Sequence, residues 1–272
     1  MEAPKKRAHA RYEDRFGVGY VLAETFAAWF RNLLPFLVIA AIVFSPVIIY
    51  NWFEVQSMTF VQEEDVAAKV DVRELVTAVG AGVLASVAAG VYTFGVVRKL
   101  QRNPAGLGEC LSVGFSRLPA VFGVSLLVGL IVGVVSIPAH VVPKAGLLLN
   151  IPVWWVSSIL IAAVPSAVIE RPGLLGALSR SAELTSGRRG TIFLSQFLLG
   201  LIMIVVILVL SVVFVSSSGE ASLSVLRTIA IVATAAIVLL GSLQAVSTSV
   251  IYHGLRQEKE GVSADELAKV FE

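Results

Sequence analysis

One pattern occurs three times along this 272-residue chain. A glycine opens a short amphipathic stretch, a leucine follows five residues later, and two membrane-length apolar segments come next. The copies start at Gly17 (GVGYVLAETF), Gly106 (GLGECLSVGF) and Gly173 (GLLGALSRSA), with Leu22, Leu111 and Leu178 at the shared offset. Self-similarity on this scale constrains architecture before any motif does, because each copy is one supersecondary unit. The pattern predicts an all-α polytopic membrane protein. It has six transmembrane helices arranged as three repeated hairpins, each preceded by a cytoplasmic interfacial amphipathic helix. The units are a basic tail (1–16), three repeats (17–105, 106–172 and 173–256) and a C-terminal tail (257–272).

Composition agrees with a bilayer as the main solvent. Apolar residues make up 57% and charged residues 15%, against about 45–50% and about 25% in soluble domains. The apolar residues lie in long uncharged blocks, which soluble chains rarely contain. The first block starts near Leu33, too far in for a secretory signal peptide, and no small-residue cleavage site follows it. Cys110 is the only cysteine, so no internal disulfide forms. A net charge of +2 argues against nucleic acid as a partner.

The expected spans are 33–53, 75–97, 119–137, 151–169, 191–215 and 228–252. Each is long enough to cross ~30 Å of hydrocarbon as a helix. Pro138 and Pro143 end the third span before His140, and Asn150 with Pro152 start the fourth, which leaves a short loop between them. Seventeen of the 21 Lys and Arg residues fall on one side of this arrangement and four on the other. The positive-inside rule therefore places both termini and all three amphipathic stretches in the cytoplasm. Trp29 and Tyr252 are expected as aromatic anchors at the inner interface, and Tyr50, Trp52, Trp154 and Trp155 at the outer one.

Leu107, Cys110, Leu111, Phe115 and Leu118 recur on one helical face, with Glu109, Ser112, Ser116 and Arg117 away from it. Val18, Val21, Leu22, Phe26, Trp29 and Phe30 repeat the design, with Glu24 and Arg31 opposite, and Leu174, Leu178 and Ala182 do so more weakly. Such a helix lies at the headgroup boundary with its apolar stripe down; the plainer alternative is a cytosolic extension of the next span. All three copies face the same way, unlike the inverted repeats of many secondary transporters. Small residues at four-residue spacing, Ala78, Gly82, Ser86 and Gly90, mark the second span as a packing helix. Ser125, Gly129 and Gly133 do the same for the third, and Gly241, Ala245 and Ser249 for the sixth. These three spans are expected at the bundle centre. The bulky fifth span is expected to face lipid.

The spans carry no ionisable residue at mid-depth, which lowers the case for a proton-coupled carrier or a pump. Gln196 and Gln244 are their largest polar side chains. Glu170 and Arg171 end the fourth span, and Glu170 has Arg180 and Arg188 within reach as partners that would fix the third repeat. Leu111 and Phe115 are the candidate contacts of the interfacial face. Lys5, Lys6, Arg7 and Arg11 are candidate anionic-lipid contacts, or simply a topology signal. Glu63, Glu64, Asp65 and Asp71 with His140 have the chemistry of a divalent-cation site, but a solvated acidic loop explains them more simply. No metal and no cofactor is expected. Ser263–Glu266 is a capping box that predicts a short helix over 264–271. No zinc-protease, nucleophile-elbow or phosphate-loop motif is present, so the chain is read as non-enzymatic.

Two stretches resemble a known family. Ala163-Val164-Pro165 through Val168-Ile169-Glu170-Arg171-Pro172-Gly173, continuing over Ala177–Arg189, is similar to the membrane-domain family named after glycerophosphoryl diester phosphodiesterase. The ending Ser249–Arg256 through Lys259-Glu260-Gly261 resembles that family's close after its last span. The resemblance implies a multi-span bacterial membrane domain. In fused relatives catalysis belongs to a separate soluble barrel, which the short tail here does not accommodate. The functional expectation is a membrane protein that binds or organises lipid, or a protein partner, at the cytoplasmic leaflet. The alternative is a small-molecule or lipid transporter.

Overall fold

The computed structural model describes residues 16–57, 72–141, 146–217 and 223–260. It is all-α, 89% helical with no strands among the described residues. The described residues form, in order, α1 (Val18–Arg31), α2 (Leu33–Ser57), α3 (Val72–Leu100), α4 (Leu107–Ser116), α5 (Leu118–Val141), α6 (Gly146–Leu160), α7 (Ala163–Ile169), α8 (Leu174–Thr185), α9 (Arg189–Ser217) and α10 (Leu223–Glu260). Among the described residues, four stretches are long and apolar enough to cross a membrane: Val79–Leu100, Leu118–Ala139, Leu149–Ile169 and Arg189–Val209. The α1–α2 pair, bent by 73°, makes a fifth if it counts as one span.

Proline sets three of the breaks. A proline ring removes the bond to the carbonyl four residues earlier and clashes with it. Pro35 stands four residues after Arg31, where α1 ends; Pro119 stands four after Phe115, beside the end of α4; and Pro165 stands four after Ile161, between α6 and α7. Pro138 and Pro152 lie inside α5 and α6 without ending them. The expected loop between the third and fourth spans is therefore shorter than the prolines implied, because α5 runs on to Val141 and α6 starts at Gly146. Helices in lipid tolerate interior proline when neighbours satisfy the freed groups. At the other end of the chain, α10 continues eight residues beyond Tyr252, into the stretch expected to be tail.

Gly17, Gly106 and Gly173 are the N-cap residues of α1, α4 and α8, and each short helix leads into a long apolar one. Gly173 adopts φ +79, and Arg171, two residues earlier, takes φ +62, so the α7–α8 link turns sharply. The left-handed region costs little only for glycine.

α3 and α10 form the centre. α3 packs against α2, α4, α5, α7 and α10, and α10 against α1, α2, α3, α8 and α9. Their meeting faces bury Val87, Val91, Val96, Leu243, Val246 and Val250. A second cluster joins Phe16, Val97, Ala162, Leu184, Ile192 and Ile251. The third span does not share this centre. Only 11% of its apolar stretch is buried, and Gly129 and Gly133 face open space. Leu126, Leu130, Ile131 and Val134 of α5 and Leu201, Ile204, Val205, Leu208 and Val209 of α9 are outward-facing. An exposed apolar surface of this extent fits lipid rather than water.

Trp29 and Tyr252 are interior residues rather than interface anchors. Trp29 donates its indole N–H to Ser242 Oγ at 2.9 Å, and Tyr252 is fully buried. The indole and phenol each need a partner once buried, and α10 supplies the first.

Candidate functional site

Among the described residues, a cluster of charged side chains forms where α7, α8 and α10 meet. Arg180 of α8 donates Nε–H to Glu170 Oε2 at 2.8 Å, and Tyr252 of α10 donates its hydroxyl to Glu170 Oε1 at 2.7 Å. Arg180 also pairs with Glu260 and, at 3.4 Å, with Glu183. Arg256 holds the other oxygen of Glu260 at 2.6 Å, one helical turn away. Arg188 takes Glu258 at 2.6 Å. Lys259 reaches the Glu183 carbonyl and Ser186 Oγ, closing the end of α8 onto α10. The carboxylate of Glu170 and the guanidinium of Arg180 are each half-buried, at 19% and 21% exposure. At that depth the pairing replaces water that neither group can fully keep.

Beneath this lattice α8 repairs the broken helix. Where α6 stops and α7 restarts, the Ile159 carbonyl and the Ala162 amide lose their helical partners. Ser181 serves both, donating to Ile159 O at 2.7 Å and accepting from Ala162 N–H at 3.1 Å. Thr185 adds a longer bond to Ile159 O. Ser166 returns its hydroxyl to Ala162 O at 2.9 Å. These hydroxyls are buried, so the bonds satisfy groups that would otherwise be costly. The inward face of α8 is thus Ala177, Ser181, Leu184 and Thr185, while Leu174 and Leu175 stay outside.

α4 docks on α3 through glycine. Gly90 and Gly114 face each other, and a Cβ on Gly90 would stand 3.3 Å from Gly114 Cα. Cys110 packs over Gly95 and is 5% exposed. The apolar stripe read from sequence is therefore split: Cys110 is buried, Leu111 is partly buried against the core, and Leu107 and Phe115 are 47% and 60% exposed. Arg98 and Glu109 add a 3.7 Å ion pair between the two helices. Burial first, then the neighbouring Glu109 charge, pushes the Cys110 thiol above its ordinary pKa.

Of the residues singled out from sequence, Glu170 and Arg180 are brought together. Arg188 joins Glu258 instead, and Arg171 is exposed on the link before α8. Lys5, Lys6, Arg7 and Arg11 lie outside the described residues, as do Glu63, Glu64, Asp65, Asp71 and the capping box at Ser263. Among the described residues no group of three or more His, Cys, Asp or Glu is placed to hold a metal ion. Sequence reading missed Glu258, Glu260 and Lys259, because α10 was expected to end at Tyr252. The signal was available: no glycine or proline separates Leu255 from Glu260, and Arg256 and Glu260 stand at helical spacing.

A polar chain also crosses between α9 and α10. Gln244 donates to Gln196 Oε1 at 2.7 Å, and Gln196 donates to Ser247 Oγ at 2.9 Å. Gln244 is nonetheless exposed, next to the open face of Gly241.

No family profile, curated protein or solved structure matches this chain.

Proposed function

We propose that the chain is a non-enzymatic, six-span protein of a bacterial inner membrane that binds or organises lipid, or a protein partner, at the cytoplasmic leaflet. In this reading α2 and α10 complete the six spans, and the three glycine-capped short helices belong to three hairpin repeats. The carrying observation is the concentration of polar and amphipathic features at one end of the bundle. There α4 leaves Leu107 and Phe115 exposed beside the charged residues Arg98 and Glu109. Apolar side chains beside charged ones suit a headgroup boundary. The segments resembling the glycerophosphoryl diester phosphodiesterase membrane domains are α7–α8 and the end of α10, the elements that meet in the charged lattice. We carry over the membrane part of that family alone.

The test is L107D with F115D. Lipid phosphorus and protein retained through gentle solubilisation should both fall; unchanged retention rejects the reading. Orientation is checked by a membrane-impermeant maleimide on intact cells. K144C, between α5 and α6, should label, and Q257C on α10 should not. The reverse pattern rejects the cytoplasmic placement.

One observation favours transport as the second reading. The exposed Gln244 of α10 offers a polar group to a passing solute or lipid. Q244L would abolish solute or lipid movement across proteoliposomes under this reading and leave it unaffected under the first.

A further inference from the structure

Five of the helices close a ring. α3 packs on α5, α5 on α6, α6 on α9, α9 on α10, and α10 back on α3. α1, α2 and α4 each rest on two adjacent members of it. At the end that carries the charged lattice, α7 fills the middle. It touches α3, α5 and α10 at once, and its Ala163, Pro165, Ala167 and Val168 are buried.

One face of α10 marks where that filling stops. Leu255, Ile251, Thr248, Gln244 and Gly241 are spaced by three or four residues, so they share a side of the helix. Leu255 and Ile251 are fully buried in the cluster that holds Ala162. Thr248 is half-buried, and Gln244 and Gly241 are exposed. A Cβ on Gly241 would meet nothing within 4 Å. This face looks into the ring. At about 100° per residue, Gln244 lies between Ser247, which meets Gln196 of α9, and Tyr252, which meets Glu170 at the end of α7. Ser242, which holds Trp29 of α1, lies on the opposite side. The exposure of Gln244 is therefore toward a space framed by helices, with α7 as its floor.

The next wall comes from α9 and α6. One turn beyond Gln196, a Cβ on Gly200 would stand 2.8 Å from the Trp154 ring, so α6 closes on α9 beside the two amides. Gln196 gives an N–H to Ser247 and takes one from Gln244, which engages both ends of its amide. Gln244 spends one N–H; its oxygen and second N–H have no partner among the described residues. Segments 79–97, 118–139, 149–169, 190–217 and 241–252 of the ring hold no Asp, Glu, Lys or Arg. Gln196 is seven residues past Arg189, which puts the amides about 10 Å along α9 from its charged start.

We propose that this space is a blind pocket for one uncharged amphiphile, whose hydroxyl or ester head bonds Gln244 while its chain lies among the apolar walls. A free amide oxygen and a free N–H match a head that both donates and accepts. The walls offer no charge to an ionised head, which would be costly to bury there. Because α7 closes the pocket toward the lattice, it holds a ligand without carrying it across. The proposal shares Gln244 with the transport reading but rests on neither reading above.

The test uses the full chain in a neutral detergent. Affinity is measured by native mass spectrometry, with thermal midpoints on the same samples. The probes are 1-oleoylglycerol, its 3-phosphate and 1-octadecene, which share a chain length and differ in the head. One molecule of 1-oleoylglycerol should bind and raise the midpoint; the other two should bind at least about tenfold more weakly, as loss of one or two hydrogen bonds implies. Q244L should bring 1-oleoylglycerol level with octadecene. G241L should fill the open space and abolish binding while keeping the unliganded midpoint. V205F, on the side of α9 opposite Gln196, should change nothing. L107D with F115D should also leave this binding intact, which separates the pocket from the leaflet reading. Equal binding in the wild type and G241L, equal affinity for the three probes, a preference for the phosphate, or a loss in V205F as large as in G241L overturns the proposal. Q244L removes one exposed hydrogen bond and carries the test if G241L does not fold.

Discussion

Glu170 is shared by two partners on two different helices: Tyr252 of α10 at 2.7 Å on Oε1 and Arg180 of α8 at 2.8 Å on Oε2. One carboxylate therefore fixes the end of the α6–α7 span against both. E170Q keeps the shape and removes the charge, which strands Arg180 with its remaining carboxylates. We expect a loss of about 1.5–3 kcal/mol, the range for hydrogen bonds to charged groups. Y252F should cost less, about 0.5–1.5 kcal/mol. In a double-mutant cycle the two losses should not add, because both act on one carboxylate. Denaturant unfolding in detergent measures all three; strict additivity would mean that the two contacts are independent.

Ser181 is the second prediction. Its hydroxyl is the partner of both backbone groups released where the helix breaks, Ile159 C=O and Ala162 N–H. S181A should leave two buried polar groups short of a bond, at about 1–3 kcal/mol. The more direct readout is local: hydrogen exchange at the Ala162 amide should accelerate in S181A and stay slow in S179A, whose side chain faces outward. An unchanged Ala162 rate would show that the break is satisfied some other way.

The short helices were legible because glycine and apolar periodicity coincide at their starts, and Gly17, Gly106 and Gly173 are indeed the N-caps. The Glu170–Arg180 pairing was legible too, since both residues stand beside helix ends where charges must find partners. What escaped has a common cause: hydropathy is blind to glycine and to direction. Gly129 and Gly133 of α5 look like packing residues by spacing, yet nothing approaches them, whereas Gly114, absent from any apolar stripe, is a true point of contact. The α6–α7 break was hidden because Ile161 and Ala162 are as apolar as their neighbours; only Pro165, four residues beyond Ile161, announces it.

Cys110 gives a prediction in pH. Burial and the Glu109 charge raise its pKa, so at any given pH the folded protein holds a smaller fraction of thiolate than the unfolded chain. Alkylation proceeds through the thiolate. The iodoacetamide rate profile of the native protein should therefore lie at higher pH than the profile in denaturing detergent, and the native rate near neutral pH should be slow. A native profile coincident with the denatured one would place Cys110 outside the α3–α4 contact.

That contact also predicts an ordering among glycine substitutions. A methyl group on Gly114 would stand 2.3 Å from Val91 Cγ2 and 3.1 Å from the Val87 carbonyl, so both a side chain and the backbone of α3 oppose it. A methyl on Gly90 meets nothing closer than 3.3 Å, and one on Gly108 meets nothing within 4 Å. G114A should therefore destabilise most, by about 1–3 kcal/mol as overpacking does. G90A should destabilise less. G108A replaces a glycine near the start of α4 in open space and should stabilise by about 0.4–1 kcal/mol through the unfolded chain. Because α4 ties to the core through this contact and through Cys110 over Gly95, G114A should also raise the alkylation rate of Cys110, and G108A should not. Thermal unfolding of the three variants in one detergent, with the thiol rate measured on each, checks both statements. If G114A were no worse than G90A, the close approach of α3 and α4 at this point would be wrong.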